Sequence, residues 1–222
     1  MKPLIFGATL MSLFACSSGE SRYVASVVRV PVEGEPDRES VLDAFKAAAP
    51  HFASVPGLLR KYFVLTDDGA AGGIYLWESR SAAEAYFDDD WHARTSSRYG
   101  RAPEVSFYEA PVLSPSATEA SPTEASVATI VDVTPPWYAF RPLVVRKYRE
   151  AVPTYQAVPG LLYKYFSISS EGKIGGIYLW ENRQAANEFY DEAWHARIVD
   201  TYGKPGHVEY FDAPLVLANR ER

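Results

Sequence analysis

Gly72-Gly73-Ile74-Tyr75-Leu76-Trp77-Glu78 returns as Gly175-Gly176-Ile177-Tyr178-Leu179-Trp180-Glu181, an offset of 103 residues. The offset holds without a gap on both sides. Val55-Pro56-Gly57-Leu58-Leu59 recurs as Val158-Pro159-Gly160-Leu161-Leu162, and Trp91-His92-Ala93-Arg94 recurs as Trp194-His195-Ala196-Arg197. About 24 of the 40 positions from Val55 to Arg94 are identical to their partners, far more than shared propensity produces. The chain is one unit written twice.

Each unit reads as βαββαβ. Tyr23 to Val32 alternates and is rich in valine, which predicts a strand, and Asp37 to Phe52 places Val41, Leu42, Phe45, Ala48, Ala49 and Phe52 at helical spacing. Pro50 and its counterpart Pro153 are expected to kink or end that helix. The Pro-Gly turn starts a second strand running through Leu65, and Thr66-Asp67-Asp68-Gly69 is a hairpin signal leading into the strand Gly72 to Glu78. A second helix is expected from about Ser81 to Thr95, with Ser81 and Glu84 spaced as a capping box. Val105 to Glu109 is the last strand, closed by Ala110-Pro111. This order is the ferredoxin-like split βαβ arrangement.

One such unit covers a single face of its sheet with helices, yet Ile74-Tyr75-Leu76-Trp77 is apolar on both faces. The expected fold is therefore α+β, two ferredoxin-like repeats packed sheet to sheet within the chain. The result is a monomeric pseudo-dimer in the form of an α/β barrel. The divisions that follow are 1–16, 23–113 (first repeat), 114–126 and 127–217 (second repeat). Residues 114–126 hold no large apolar side chain and read as a flexible linker.

Residues 1–16 read as an address rather than part of the fold. Lys2 precedes an apolar run suited to a signal h-region, and Leu13-Phe14-Ala15-Cys16 resembles a bacterial lipobox with Cys16 as the lipidated residue. The expected location is the cell envelope, lipid-anchored. Ser17 points to the outer membrane in a Gram-negative host. The membrane is then a partner through that anchor only, since no later stretch approaches the roughly 18 apolar residues of a span.

Among 222 residues there are 22 Lys+Arg against 28 Asp+Glu, a net charge of −6, and no basic cluster, which excludes nucleic acid as the expected partner. One cysteine, four histidines and two methionines are too few for an iron–sulfur cluster or a structural zinc site, so no metal is expected. Nucleotide-binding, α/β-hydrolase and zincin motifs are missing from the sequence.

Pro56-Gly57-Leu58 with Lys61, Ala71-Gly72-Gly73-Ile74-Tyr75-Leu76, Ala82-Ala83 with Tyr86, and Ala93-Arg94 together resemble the YdhR family. The second copy repeats the pattern at Pro159-Gly160-Leu161, Lys164, Gly175-Gly176-Ile177-Tyr178-Leu179, Ala185-Ala186 and Ala196-Arg197. That family belongs to the dimeric α/β-barrel superfamily, with antibiotic-biosynthesis monooxygenases and haem-degrading enzymes. The resemblance implies a monooxygenase without a cofactor, acting on a small aromatic compound in an aromatic-lined pocket of each repeat. Such a reaction requires an apolar cavity, a base, and a cation or hydrogen-bond donor to steady the developing anion.

Tyr75 and Trp77 share a strand face, as do Tyr178 and Trp180, and are the expected pocket walls. Lys61, Lys164, His92 and His195 are the candidate catalytic groups. Trp91, Arg94, Trp194 and Arg197 are candidate substrate contacts, the arginines lying where guanidinium stacks on indole. His92 follows Asp88 by four residues and His195 follows Asp191 by four. That spacing lets carboxylate and imidazole meet, either as a general-base pair or as a surface pair at a helix C-terminus. His51 and His207 lack counterparts and are expected on the surface. Two other readings stay open: a non-catalytic envelope lipoprotein that holds a small apolar ligand, and a haem-binding or haem-degrading barrel pairing a strand tryptophan with a helix histidine.

Overall fold

The computed structural model describes residues 21–30, 37–66, 71–117 and 120–219. Cys16 and its lipobox lie outside the described residues, as does the hairpin turn beyond Thr66. In the first repeat β1 (Val24–Val30), α1 (Arg38–Phe52), β2 (Leu58–Thr66) and β3 (Ala71–Trp77) follow in order. They are succeeded by α2 (Arg80–Tyr86), α3 (Asp89–Tyr99) and β4 (Glu104–Pro115). The second repeat runs β5 (Val127–Val133), α4 (Arg141–Gln156), β6 (Leu161–Ser169), β7 (Ile174–Trp180), α5 (Arg183–Phe189), α6 (Glu192–Tyr202) and β8 (His207–Ala218).

The eight strands close into one antiparallel barrel in the order β1-β3-β2-β8-β5-β7-β6-β4. Each repeat contributes four adjacent strands, and the seams are β2 with β8 and β4 with β6. Closure leaves no free sheet edge. Side chains alternate across the strands, so Ile74, Leu76, Tyr62 and Val64 point inward with Ile177, Leu179 and Tyr165 of the other repeat. The Tyr62 and Tyr165 rings stack in that interior with centroids 5.8 Å apart. The two-sided apolar strand is explained by this shared core.

Three local expectations are corrected. The second helix is broken into α2 and α3, because Asp88 ends the first piece and caps the second, its Oδ1 accepting from Trp91 N at 2.7 Å. The cap of α2 is Ser79, which accepts from Ala82 N at 3.1 Å, and Glu84 instead pairs with Arg80. Ser81 and Glu84 therefore form no capping box. Strand β4 also runs through Ala110-Pro111 to Pro115, past the expected end and into residues assigned to the linker. Its register shifts between Glu109 and Val112, which accommodates a proline without an N–H, and the strand continues because β6 of the other repeat pairs with it.

The helices over the two outer faces differ. Asp37 caps α1 through Ser40 N at 2.9 Å, and Pro50 lies in the last turn. No α1 side chain is fully buried, whereas α4 buries Val144, Val145 and Tyr148. The first helix rests on its sheet through Phe45 and Phe52, whose rings meet Phe63 at 5.2 and 5.5 Å, and the second is packed down along more of its length.

Candidate functional site

The β2–β3 register places Lys61 directly opposite Tyr75. Both side chains leave the outer face, toward α1 and α3. Gly73 precedes Tyr75 on that face, and a Cβ there would meet the phenol ring, so the glycine lets the ring lie along the strand. Phe52 of α1 and Phe63 of β2 complete the enclosure. Lys61 is 4% exposed. Its Nζ donates to Tyr75 Oη at 2.9 Å and lies 3.1 Å from the Phe52 ring centroid and 4.2 Å from that of Phe63.

Burial pushes the Lys61 amine well below the ordinary lysine value and the Tyr75 hydroxyl well above that of free tyrosine. The ring faces favour an ammonium, but no carboxylate among the described residues pairs with Lys61, and removal from water dominates. The result is a basic amine beside a phenol that keeps its proton. In the second repeat Lys164 is 2% exposed, with Nζ 3.1 Å from the Tyr155 ring centroid and 3.9 Å from that of Phe166, and burial lowers it likewise.

A cavity of about 950 Å³ opens between the sheet, α1 and α3 of the first repeat, with Lys61, Tyr75, Phe45, Phe52, Tyr86 and Trp91 on its wall. Arg94, Arg98 and His51 line it as well. The corresponding cavity of the second repeat is about 460 Å³ and includes Lys164, Tyr155, Tyr178 and Trp194.

The structure thus gathers Lys61, Tyr75, Trp91 and Arg94 around the first cavity, and Lys164, Tyr178 and Trp194 around the second. Trp77 and Trp180 are on neither wall. Each is fully buried beneath its tyrosine, the ring centroids 5.7 Å apart in both stacks. The indole N–H groups donate to Ser26 Oγ at 2.9 Å and Thr129 Oγ1 at 3.0 Å on the neighbouring strands. They are core residues.

His92 and His195 line neither cavity. Asp88 and Asp191 cap α3 and α6, so each histidine lies in its helix's N-terminal part rather than at a C-terminus, with its ring edge-on to the preceding tryptophan. The carboxylate–imidazole pair is not formed. The tryptophan–histidine pairing expected of a haem site does not meet at a common cavity. Arg197 also falls outside the second cavity wall.

Sequence reasoning missed several wall residues, among them Phe45, Phe52 and Tyr155. His51 lines the first cavity at the end of α1, and Arg98 and Tyr99 extend the α3 face. The spacing Trp91, Arg94, Thr95, Arg98 is one helical face, legible once α3 is separated from α2. Among the described residues no group of three His, Cys, Asp or Glu side chains is placed to hold a metal ion. No helix among them is long and apolar enough to cross a membrane.

Residues 28–110 match the model of the family described as "Putative mono-oxygenase ydhR". The first repeat belongs to the YdhR family. No curated protein matches the chain. Among solved structures, a "putative monooxygenase" from Lactobacillus acidophilus NCFM superposes with a TM-score of 0.65 at 11% identity, covering 89% of this chain and 97% of that one. One from Fusobacterium nucleatum gives 0.65 at 8% identity, covering 89% and 95%. A protein described as anthrone oxidase-like gives 0.54 at 12% identity, covering 91% and 95%. These likenesses show the fold alone: an α/β barrel of two ferredoxin-like repeats within one chain.

Proposed function

We propose that this duplicated YdhR protein oxidises a small aromatic compound with molecular oxygen in the cavity of its first repeat, with Lys61 as the base. The observation that carries the reading is Lys61 itself: an amine in an aromatic enclosure, hydrogen-bonded to Tyr75 Oη at 2.9 Å, on the wall of an apolar cavity. Desolvation lowers its proton affinity, which favours the neutral amine that a general base requires.

The substrate class is a phenol or a ring ketone with an acidic CH₂, whose anion reacts with oxygen directly. Lys61 takes a proton from the carbon or the phenol. For a CH₂ flanked by rings, the carbanion adds oxygen to form a peroxide. The Lys61 ammonium returns its proton to the peroxide, and the freed amine then takes the second C–H proton as the carbonyl forms, the O–O bond breaks and hydroxide leaves; that proton passes to the hydroxide to give water. The balance is CH₂ + O₂ → C=O + H₂O, with all electrons drawn from the substrate. Tyr75 and the Lys61 ammonium steady the anion while it forms.

Oxygen uptake with anthrone as the probe tests this reading. The chain is expected to accelerate uptake with formation of the quinone, and Lys61→Met to abolish the acceleration. Equal rates with and without the protein would sink it. Attachment of Cys16 to lipid in the cell envelope is part of the proposal, tested by incorporation of labelled fatty acid that Cys16→Ala abolishes.

A further inference from the structure

The two repeats kept the buried lysine and its aromatic enclosure but differ at the cavity lining. Position by position at the 103-residue offset, Phe45, Ala71 and Thr95 of the first cavity become Tyr148, Ile174 and Ile198 in the second. All three changes add volume. The Tyr148 hydroxyl donates to Ser167 O at 2.7 Å and accepts from Gly175 N at 3.0 Å, which fastens α4 to the sheet. Phe45 has no hydroxyl to do the same; its ring packs on Phe63 at 5.2 Å, and no α1 side chain is fully buried. The second cavity, at about 460 Å³ against 950 Å³, is half filled by its own side chains.

The rims differ in charge as well. Arg94 and Arg98 are four apart on α3, so their guanidinium groups share a face and repel. Neither is in an ion pair among the described residues. Asp88 is the carboxylate on that wall, and it is occupied in capping α3. His51 faces the same cavity from α1. In the second repeat Arg98 and His51 are replaced by Thr201 and Thr154, Arg197 leaves the wall, and the rim cation Lys147 is neutralised by Glu150 at 2.8 Å. Two arginines outnumber the one carboxylate around an apolar cavity, and that carboxylate is turned to the α3 cap, an arrangement that receives an anion with an apolar body.

We infer that the repeats have diverged into one roomy ligand site and one narrowed copy, and that the roomier site selects an aromatic acid. The acid group sits on Arg94 and Arg98 at the rim and the rings reach down to Lys61. This rests on the proposed function for the location of the site but not for its chemistry, so binding tests it without turnover.

Two probes share an aromatic body and differ in charge, 1-anilinonaphthalene-8-sulfonate and neutral N-phenyl-1-naphthylamine. Calorimetric titration of the full chain is expected to give one sulfonate bound per chain. Arg94→Gln with Arg98→Gln should weaken the sulfonate about tenfold relative to the neutral probe, the size of effect lost charge-assisted hydrogen bonds produce. Arg94→Lys with Arg98→Lys should restore most of it. Phe45→Tyr with Ala71→Ile should weaken both probes, and Tyr148→Ala with Ile198→Thr should add a second equivalent of the neutral one. Two equivalents in the unaltered chain, or equal loss of both probes in the glutamine variant, would overturn the inference. If the sulfonate binds as expected and anthrone is not oxidised, the site stands and the oxygenase chemistry falls.

Discussion

Lys61 and Tyr75 face each other across the β2–β3 pair, amine to phenol oxygen at 2.9 Å, at the floor of the first cavity. Lys164 and Tyr178 occupy the same register in the second repeat. Duplication has preserved the pair while the space above it has changed.

A buried amine leaves a signature in stability. The folded proton affinity of Lys61 is lowered by burial from the ordinary lysine value of 10.5. Between the lowered folded value and the unfolded one, the unfolded chain binds more protons, so stability rises with pH across that window. Lys61→Met removes the penalty. Its melting temperature is expected to exceed that of the unaltered chain near pH 6, with the advantage narrowing toward about pH 9. Melting curves that stay parallel across the range would show that Lys61 remains charged in the fold.

Trp77 and Trp180 should act on stability rather than on ligand. Trp77→Phe removes the bond to Ser26 Oγ and leaves a void beneath Tyr75, at an expected cost of about 1–3 kcal/mol. Denaturant unfolding measures the loss. The affinity for N-phenyl-1-naphthylamine should change little, since the indole is not on the cavity wall.

The histidines separate this account from one built on the helix imidazole. His92→Asn and His195→Asn are expected to leave oxygen uptake with anthrone within about twofold, because neither ring lines a cavity. A hundredfold loss in His92→Asn would return the base to the helix.

Tyr75→Phe removes the partner of the Lys61 amine while keeping the ring. Neutral-probe binding should survive, and oxygen uptake should fall by about 10- to 100-fold through loss of the hydroxyl that orients the base. Unchanged uptake would reduce Tyr75 to a wall residue.

The barrel was legible because its evidence is periodic. The repeat, the alternation of valines in β1 and the apolarity of Ile74 to Trp77 on both faces are all local patterns, and a shared interior is the economical way to satisfy them. Lys61 and Lys164 were marked by the motif they share with Pro56-Gly57-Leu58 and Pro159-Gly160-Leu161. The failures have physical causes too. Small and apolar residues continue at helical spacing from Ala82 to Trp91, which hid the break at Asp88 even though an aspartate three residues before Trp91 is an N-cap signal. Ala110-Pro111 reads as a stop, and only the non-local pairing of β4 with β6 carries the strand onward. Trp77 was placed on the correct face of its strand, yet packing depth, which strand periodicity does not encode, put it under Tyr75 instead of beside the cavity. The difference between the cavities was written at Phe45 and Tyr148, but its meaning depends on what the added hydroxyl reaches.

The central claim is that Lys61 removes a proton from a bound aromatic substrate, and anaerobic mixing with anthrone tests it most directly. Without oxygen the reaction stops at the anion, whose absorbance differs from that of the neutral ketone. The unaltered chain is expected to develop the anion band at a pH where free anthrone stays neutral, in proportion to the number of occupied first cavities. Lys61→Met should bind anthrone and show no band. A band of equal size in Lys61→Met, or none in the unaltered chain with anthrone bound, would contradict the account.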